Sequence, residues 1–155
     1  MTASNDPTPN IERYREPQRT HHAIARAELI SGEKAEDWMW FMFPQVAGLG
    51  RSPESRLYAF NNFFEAVAFF MDPEFFANYT ELLRIVHGHF GQRTPREIFG
   101  ELDEKKLWSS LTIFVEIAHQ WPGAADEVAM ANELLEKAGR RCPRTIELVR
   151  RWLRA

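Results

Sequence analysis

Apolar residues recur along this chain at spacings of three and four, and the breaks between runs fall at proline, glycine and capping residues. A short turn over Ile11 to Glu16 ends at Pro17. Thr20 then caps a helix carrying Ala23, Ala27 and Ile30, which Gly32 stops. A short aromatic helix is predicted over 37–42, and Pro44 disfavours helical geometry at Phe43, so the backbone should leave the helix there. Ser52 as N-cap and Pro53 at the first helical position open the next region. Its stripe of Leu57, Phe60, Phe64, Val67 and Met71 is expected in the core. Phe63, Ala66 and Phe70 add a second face, which predicts burial on two sides or an interruption near Asn61-Asn62.

Phe75, Tyr79, Leu82 and Val86 repeat the helical pattern after the Asp72-Pro73 break. Thr94-Pro95-Arg96-Glu97 is a capping-box sequence, closed by Gly100. From Asp103, residues Leu107, Leu111, Phe114 and Ala118 predict a helix that Pro122-Gly123 ends. Val128, Ala131, Leu135 and Ala138 predict another, stopped at Gly139, and Pro143 to Arg154 the last. No run alternates in polarity as a strand would, and no repeat period stands out. The expectation is an all-α, single compact domain of about seven helices over 11–155, preceded by a disordered arm over 1–10 and carrying one glycine/proline elbow.

Composition narrows the class. A chain of 155 residues fits one domain, and its 13% aromatic share separates it from disordered chains. A formal charge of −3 gives no global basis for nucleic acid or an anionic membrane as partner, and the longest apolar run, Trp38 to Phe43, is far too short to span a bilayer. One cysteine, Cys142, excludes an internal disulfide. With a polar, proline-bearing start in place of a signal peptide, the expected location is cytoplasmic.

The elbow is the least ordinary stretch. Trp38-Met39-Trp40-Phe41-Met42-Phe43-Pro44-Gln45 runs directly into Val46-Ala47-Gly48-Leu49-Gly50-Arg51-Ser52-Pro53. Gly48, Gly50, Arg51 and Ser52 stand just before a helix start, where free backbone N–H groups and the helix dipole favour an anion; Arg51 adds a guanidinium suited to phosphate or carboxylate. The spacing matches neither the Walker pattern nor the dinucleotide fingerprint, and a tight turn with Ser52 as a plain cap explains the same residues. Trp38 or Trp40 offers a face for stacking, though most aromatic clusters are core, and Gln45 can bond a ligand or the loop itself.

Lys105, Lys106, Ser109, Ser110 and Thr112 gather at one helix start. Lys106 and Ser110, four apart, share a face, so a Ser-Lys pair is conceivable, against hydroxyls bonded back to the preceding turn. His21-His22 and His87-Gly88-His89 invite a metal reading. On a helix, however, a His-x-His pair points its rings roughly 200° apart, and no cysteine or carboxylate spacing typical of zinc lies nearby. No metal or cofactor is expected. Arg140, Arg141, Arg144, Arg150, Arg151 and Arg154 crowd the last 16 residues against Glu147 alone, either as a basic contact surface for nucleic acid or an acidic protein or as the solvated face of a terminal helix burying Ile146, Val149 and Leu153.

Four motifs in order carry a family resemblance: Trp38 to Pro53, Tyr58-Ala59, Glu97-Ile98-Phe99-Gly100, and Lys106-Leu107 with Ser109-Ser110, Thr112 and Phe114. Together they closely resemble the bacterial domain-of-unknown-function family 1810 over about Ile11 to Val149. The resemblance implies a predominantly helical domain with no established activity. The calpastatin-like label sometimes given to that family sits poorly on a chain built to fold, since calpastatin inhibitory segments are disordered. Two departures stand out: Asp37 replaces the family's usual His, and Gly139 to Arg144 lacks its usual Asp.

The functional expectation is a small binding module whose pocket at the elbow takes an anionic small molecule or acidic protein segment, using Trp38, Trp40, Gln45, Gly48, Gly50, Arg51, Ser52, Lys106, Ser109 and Ser110. The alternatives are an enzyme on a nucleotide-like or phosphorylated substrate with Lys106 and Ser109 or Ser110 reactive, and an adaptor acting through the Arg-rich C-terminus.

Overall fold

The computed structural model describes residues 9–138 and 142–154, with the backbone alone of Ala138, Leu153 and Arg154. Most of the expected arm, the Gly139 stop, Arg140 and Arg141 lie outside the described residues. A 3-10 turn, Glu12–Tyr14, leads into α1 (Arg15–Ser31), followed by α2 (Met39–Met42), α3 (Pro53–Tyr58), α4 (Phe63–Met71), α5 (Pro73–Gly88), α6 (Pro95–Phe99) and α7 (Glu101–Ala118). A second 3-10 turn, Pro122–Ala124, precedes α8 (Ala125–Ala138) and α9 (Pro143–Arg154). The fold is all-α. Among the described residues it holds nine α-helices, of which α2, α3 and α6 are pieces of four to six residues.

Helix α7 is the axis. Its sequence Leu-Trp-Ser-Ser-Leu-Thr-Ile-Phe-Val is apolar or small all round, and every residue from Leu107 to Val115 is buried. Helices α8, α9, α6 and α4 pack on it, while α1 lies along α5 and α5 along α8. Phe43, Phe60, Phe69, Phe70, Phe75, Tyr79 and Phe114 form one connected aromatic core with ring centroids 5.0 to 5.2 Å apart at the closest pairs.

Three helix expectations need correcting. Helix α1 passes through Pro17 and does not begin at Thr20, because Pro17 falls in its first turn, where a backbone N–H has no intrahelical acceptor. Its buried face is Gln18, Ala25 and Leu29, leaving Ala23, Ala27 and Ile30 exposed. Of the stripe from Leu57 to Met71 only Phe60 is fully buried and Val67 packs partly on the core: the chain is extended at Ala59 and Asn62, the interruption expected near Asn61-Asn62, and Asn62 caps α4 by accepting the Glu65 N–H at 2.9 Å. That break turns Leu57, Phe64 and Met71 outward and buries Phe60, Ala66, Phe69 and Phe70. Finally, Gly100 at φ +84° passes the chain straight from α6 into α7, which starts two residues before Asp103.

The elbow is an excursion fastened at both ends. Ala47 N–H donates to the Phe60 carbonyl at 2.9 Å and Phe60 N–H to the Gln45 carbonyl at 2.7 Å. Arg13 donates to the carbonyls of Leu57 and Ala59, each at 2.7 Å, and Tyr14 OH to that of Tyr58 at 2.6 Å. Carbonyls that α3 leaves without helical partners are satisfied in this way.

Candidate functional site

The predicted capping chemistry forms at the start of α3. Ser52 is extended, at φ −69° and ψ 158°, and its Oγ accepts the Ser55 N–H at 3.2 Å while donating to Ser55 Oγ at 3.0 Å. Gly50 stands against this cap with no room for a side chain: a Cβ would lie 2.4 Å from Ser55 Oγ and 2.5 Å from its Cβ. The Ser52 hydroxyl therefore serves the turn, and the backbone N–H groups of Gly50, Arg51 and Ser52 have no protein acceptor among the described residues.

The elbow faces the first turn and a half of α7 across a cleft of about 320 Å³. Trp40, Gln45, Gly50, Arg51, Ser52 and Lys106 all line it, joined by Lys105. Leu49, Ser55 and Leu102 complete the wall. The lining contains three cations and no carboxylate. Arg51 and Lys105 are exposed and make no hydrogen bond or ion pair with any described residue, so both cations are open to a ligand.

Lys106 is held. Its ammonium sits 3.7 Å from the centroid of the Trp40 ring and 3.0 Å from Asp103 Oδ1. Asp103 also pairs with Lys34 at 2.7 Å. Partial burial opposes ionisation of Asp103, but hydrogen bonds from Lys34 and Lys106 outweigh it and keep its carboxyl below the ordinary aspartate range. Lys106 thus covers one face of Trp40.

Four expected site residues lie elsewhere. Trp38 is fully buried, its Nε1–H donating to Glu28 Oε1 at 2.9 Å, and it is core rather than a stacking wall. Ser109, 2% exposed, bonds Thr145 Oγ1 at 2.7 Å, and Ser110 bonds Tyr79 OH at 3.0 Å; neither hydroxyl reaches the cleft. Lys106 and Ser110 therefore form no nucleophile pair: one helix face passes from the cleft into the core within a single turn. Gly48, at φ +101°, shapes the turn without lining the cleft.

The histidines are occupied as well. His87 contacts Glu133 at 2.9 Å and His89 the Leu29 carbonyl at 2.6 Å; His21 contacts the Pro17 carbonyl at 2.9 Å and His22 Glu81 at 2.7 Å. Among the described residues no group of three or more His, Cys, Asp or Glu side chains is placed to hold a metal ion, and no helix is long and apolar enough to cross a membrane. On α9, Arg144 and Arg151 both pair with Glu147, at 3.1 and 2.7 Å.

Comparison with known proteins agrees with this architecture. The crystal structure of a conserved hypothetical protein from Mycobacterium tuberculosis is similar at 32% sequence identity with a TM-score of 0.78, covering 90% of this chain and 95% of the other. No curated protein matches. A family model described as a protein of unknown function (DUF1810) matches residues 8–149. With nearly the whole chain inside that match, the protein belongs to the DUF1810 family.

Proposed function

We propose that the protein is a binding module that takes a small anionic ligand in the cleft between the elbow and α7. One observation carries this reading: Arg51, Lys105 and Lys106 converge on a single cleft that contains no carboxylate, in a chain whose formal charge is −3. Exposed cations on an acidic protein ordinarily alternate with acids, and Arg51 and Lys105, both unpaired among the described residues, beside Lys106, which Asp103 shares, make a local positive potential on one concave wall. Arg51 supplies a planar two-pronged donor and Lys105 a mobile point charge. The unpaired amides of Gly50 and Arg51 add donors. At about 320 Å³ the cleft is at the small end of ligand sites, suited to one or two phosphoryl groups or a compact phosphorylated metabolite.

Isothermal titration with inorganic pyrophosphate, using glucose as an uncharged control, tests the reading. Native protein binds pyrophosphate, and Arg51→Ala and Lys105→Ala each weaken binding about tenfold. Native affinity retained in both variants, or no binding of pyrophosphate by native protein, would refute it.

A further inference from the structure

A second cavity, of about 480 Å³, is lined by none of the residues of the elbow cleft. It opens between the C-terminal end of α5, the connection to α6, and α8. Its apolar wall includes Phe90, Trp108 and Leu134, and its rim Arg93 and Lys137. The polar inventory is unusual. Trp108 is 4% exposed, and its Nε1–H is buried without an acceptor, whereas a buried indole N–H ordinarily finds one. A third cation, Arg96, is already paired with Glu104 at 3.2 Å. Lys137 has no ion-pair partner among the described residues; its ammonium stands 5.5 Å from the Phe90 ring centroid. Arg93 makes one long hydrogen bond, 3.5 Å, to the Gly32 carbonyl.

We infer that this cavity binds a small organic carboxylate with an apolar body, an aryl or medium-chain acid, its hydrocarbon against Phe90, Trp108 and Leu134 and its charge at Arg93 and Lys137. An apolar wall alone would accept any hydrophobe. The two rim cations select an anion, and Trp108 belongs to the wall that the ligand's hydrocarbon would cover. Inorganic anions are disfavoured, because they leave the apolar wall unfilled. The site is independent of the elbow cleft and shares no lining residue with it.

The test is a titration of uniformly ¹⁵N-labelled full-length protein with 4-phenylbutyrate, followed on the indole N–H resonances, with 4-phenylbutanol and inorganic phosphate as comparators. Trp108→Phe identifies the Trp108 resonance. The acid is expected to shift that resonance saturably and to bind at least fivefold tighter than the alcohol. Lys137→Glu, a change at an exposed position, is expected to weaken the acid at least fivefold and leave the alcohol unchanged. Phosphate is expected to leave the Trp108 resonance in place. No shift with the acid, equal affinity for acid and alcohol, or indifference to Lys137→Glu would overturn the assignment. Perturbation by phosphate around Arg51 reports on the elbow cleft alone, so either site can fail without the other.

Discussion

The ammonium of Lys106 lies between the face of Trp40, 3.7 Å from the ring centroid, and Asp103, 3.0 Å from Oδ1, so the best-anchored cation of the cleft is shared with an internal carboxylate. Asp103 restrains it and also neutralises Lys34, whose side chain is 4% exposed. Asp103→Asn separates these two duties. It leaves a buried Lys34 without its counter-ion and should lower stability by about 2 kcal/mol. It also frees Lys106 and should tighten pyrophosphate binding about threefold. Denaturant unfolding and titration calorimetry measure the two effects; stability loss with unchanged or weaker binding would show that Lys106 takes no part in holding the anion.

Glu28 organises the approach to the elbow. Its Oε1 accepts the N–H groups of Ala35 at 2.9 Å and Glu36 at 3.1 Å and the Trp38 indole N–H at 2.9 Å. Burial raises the cost of its charge, but these bonds prevail and hold the carboxyl below the ordinary glutamate range. Replacing Trp38 by Phe keeps part of the ring packing, leaves a small void where the second ring stood and removes one donor from Glu28, so a loss of about 2 kcal/mol is expected. If Trp38→Phe were as stable as native protein while Trp38→Ala was strongly destabilised, packing alone would account for the residue.

Acid sensitivity follows from Asp72. Bonds from Arg15, the nearer at 2.8 Å, and from the N–H groups of Glu74 and Phe75 keep its carboxyl below the ordinary value. With the folded value below the unfolded one, about 3.9, this stabilisation is complete above that pH and disappears as pH falls through the folded value. Asp72→Asn retains a capping oxygen and loses the ion pair. The variant should be less stable than native protein by about 1 kcal/mol at pH 7, with the two melting curves converging at low pH. A constant gap down to pH 2 would assign the effect to something other than this ionisation.

What could be read from the residues was set by how local the cause is. Ser52 and Thr94 as caps, Pro44 as an exit and Asp72-Pro73 as a break depend on neighbours within four residues, and all four form. The stripe through Leu57, Phe64 and Met71 misled because two extended turns at Ala59 and Asn62 shift the helical phase, and periodicity assumes unbroken phase. The same limit governs the cleft. Arg51 and Lys106 belong to segments that meet only through the core, and the elbow supplies a reason to expect the first but none for Leu102. Ser109 and Ser110 look chemical in a list of side chains. A helix buried on every face, however, needs small groups that satisfy one another, as Ser110 does with Tyr79.

Gly50 gives the most direct test of the elbow's shape. Its φ is not positive, so alanine is compatible with the backbone there, and the obstacle is contact alone: a Cβ would meet Ser55 Oγ at 2.4 Å and Ser55 Cβ at 2.5 Å. Ser55 Oγ is tied to the Ser52 carbonyl at 2.9 Å and cannot swing aside without loosening the cap. Gly50→Ala should therefore cost about 1–2 kcal/mol and weaken pyrophosphate binding by displacing Arg51. Ser55→Gly removes both obstructing atoms at its own helix-propensity cost of about 1 kcal/mol. In that background Gly50→Ala should be nearly neutral, leaving a coupling of about 1 kcal/mol or more in a double-mutant cycle of denaturant midpoints. Additive effects would mean the glycine is required for something other than the space that Ser55 occupies.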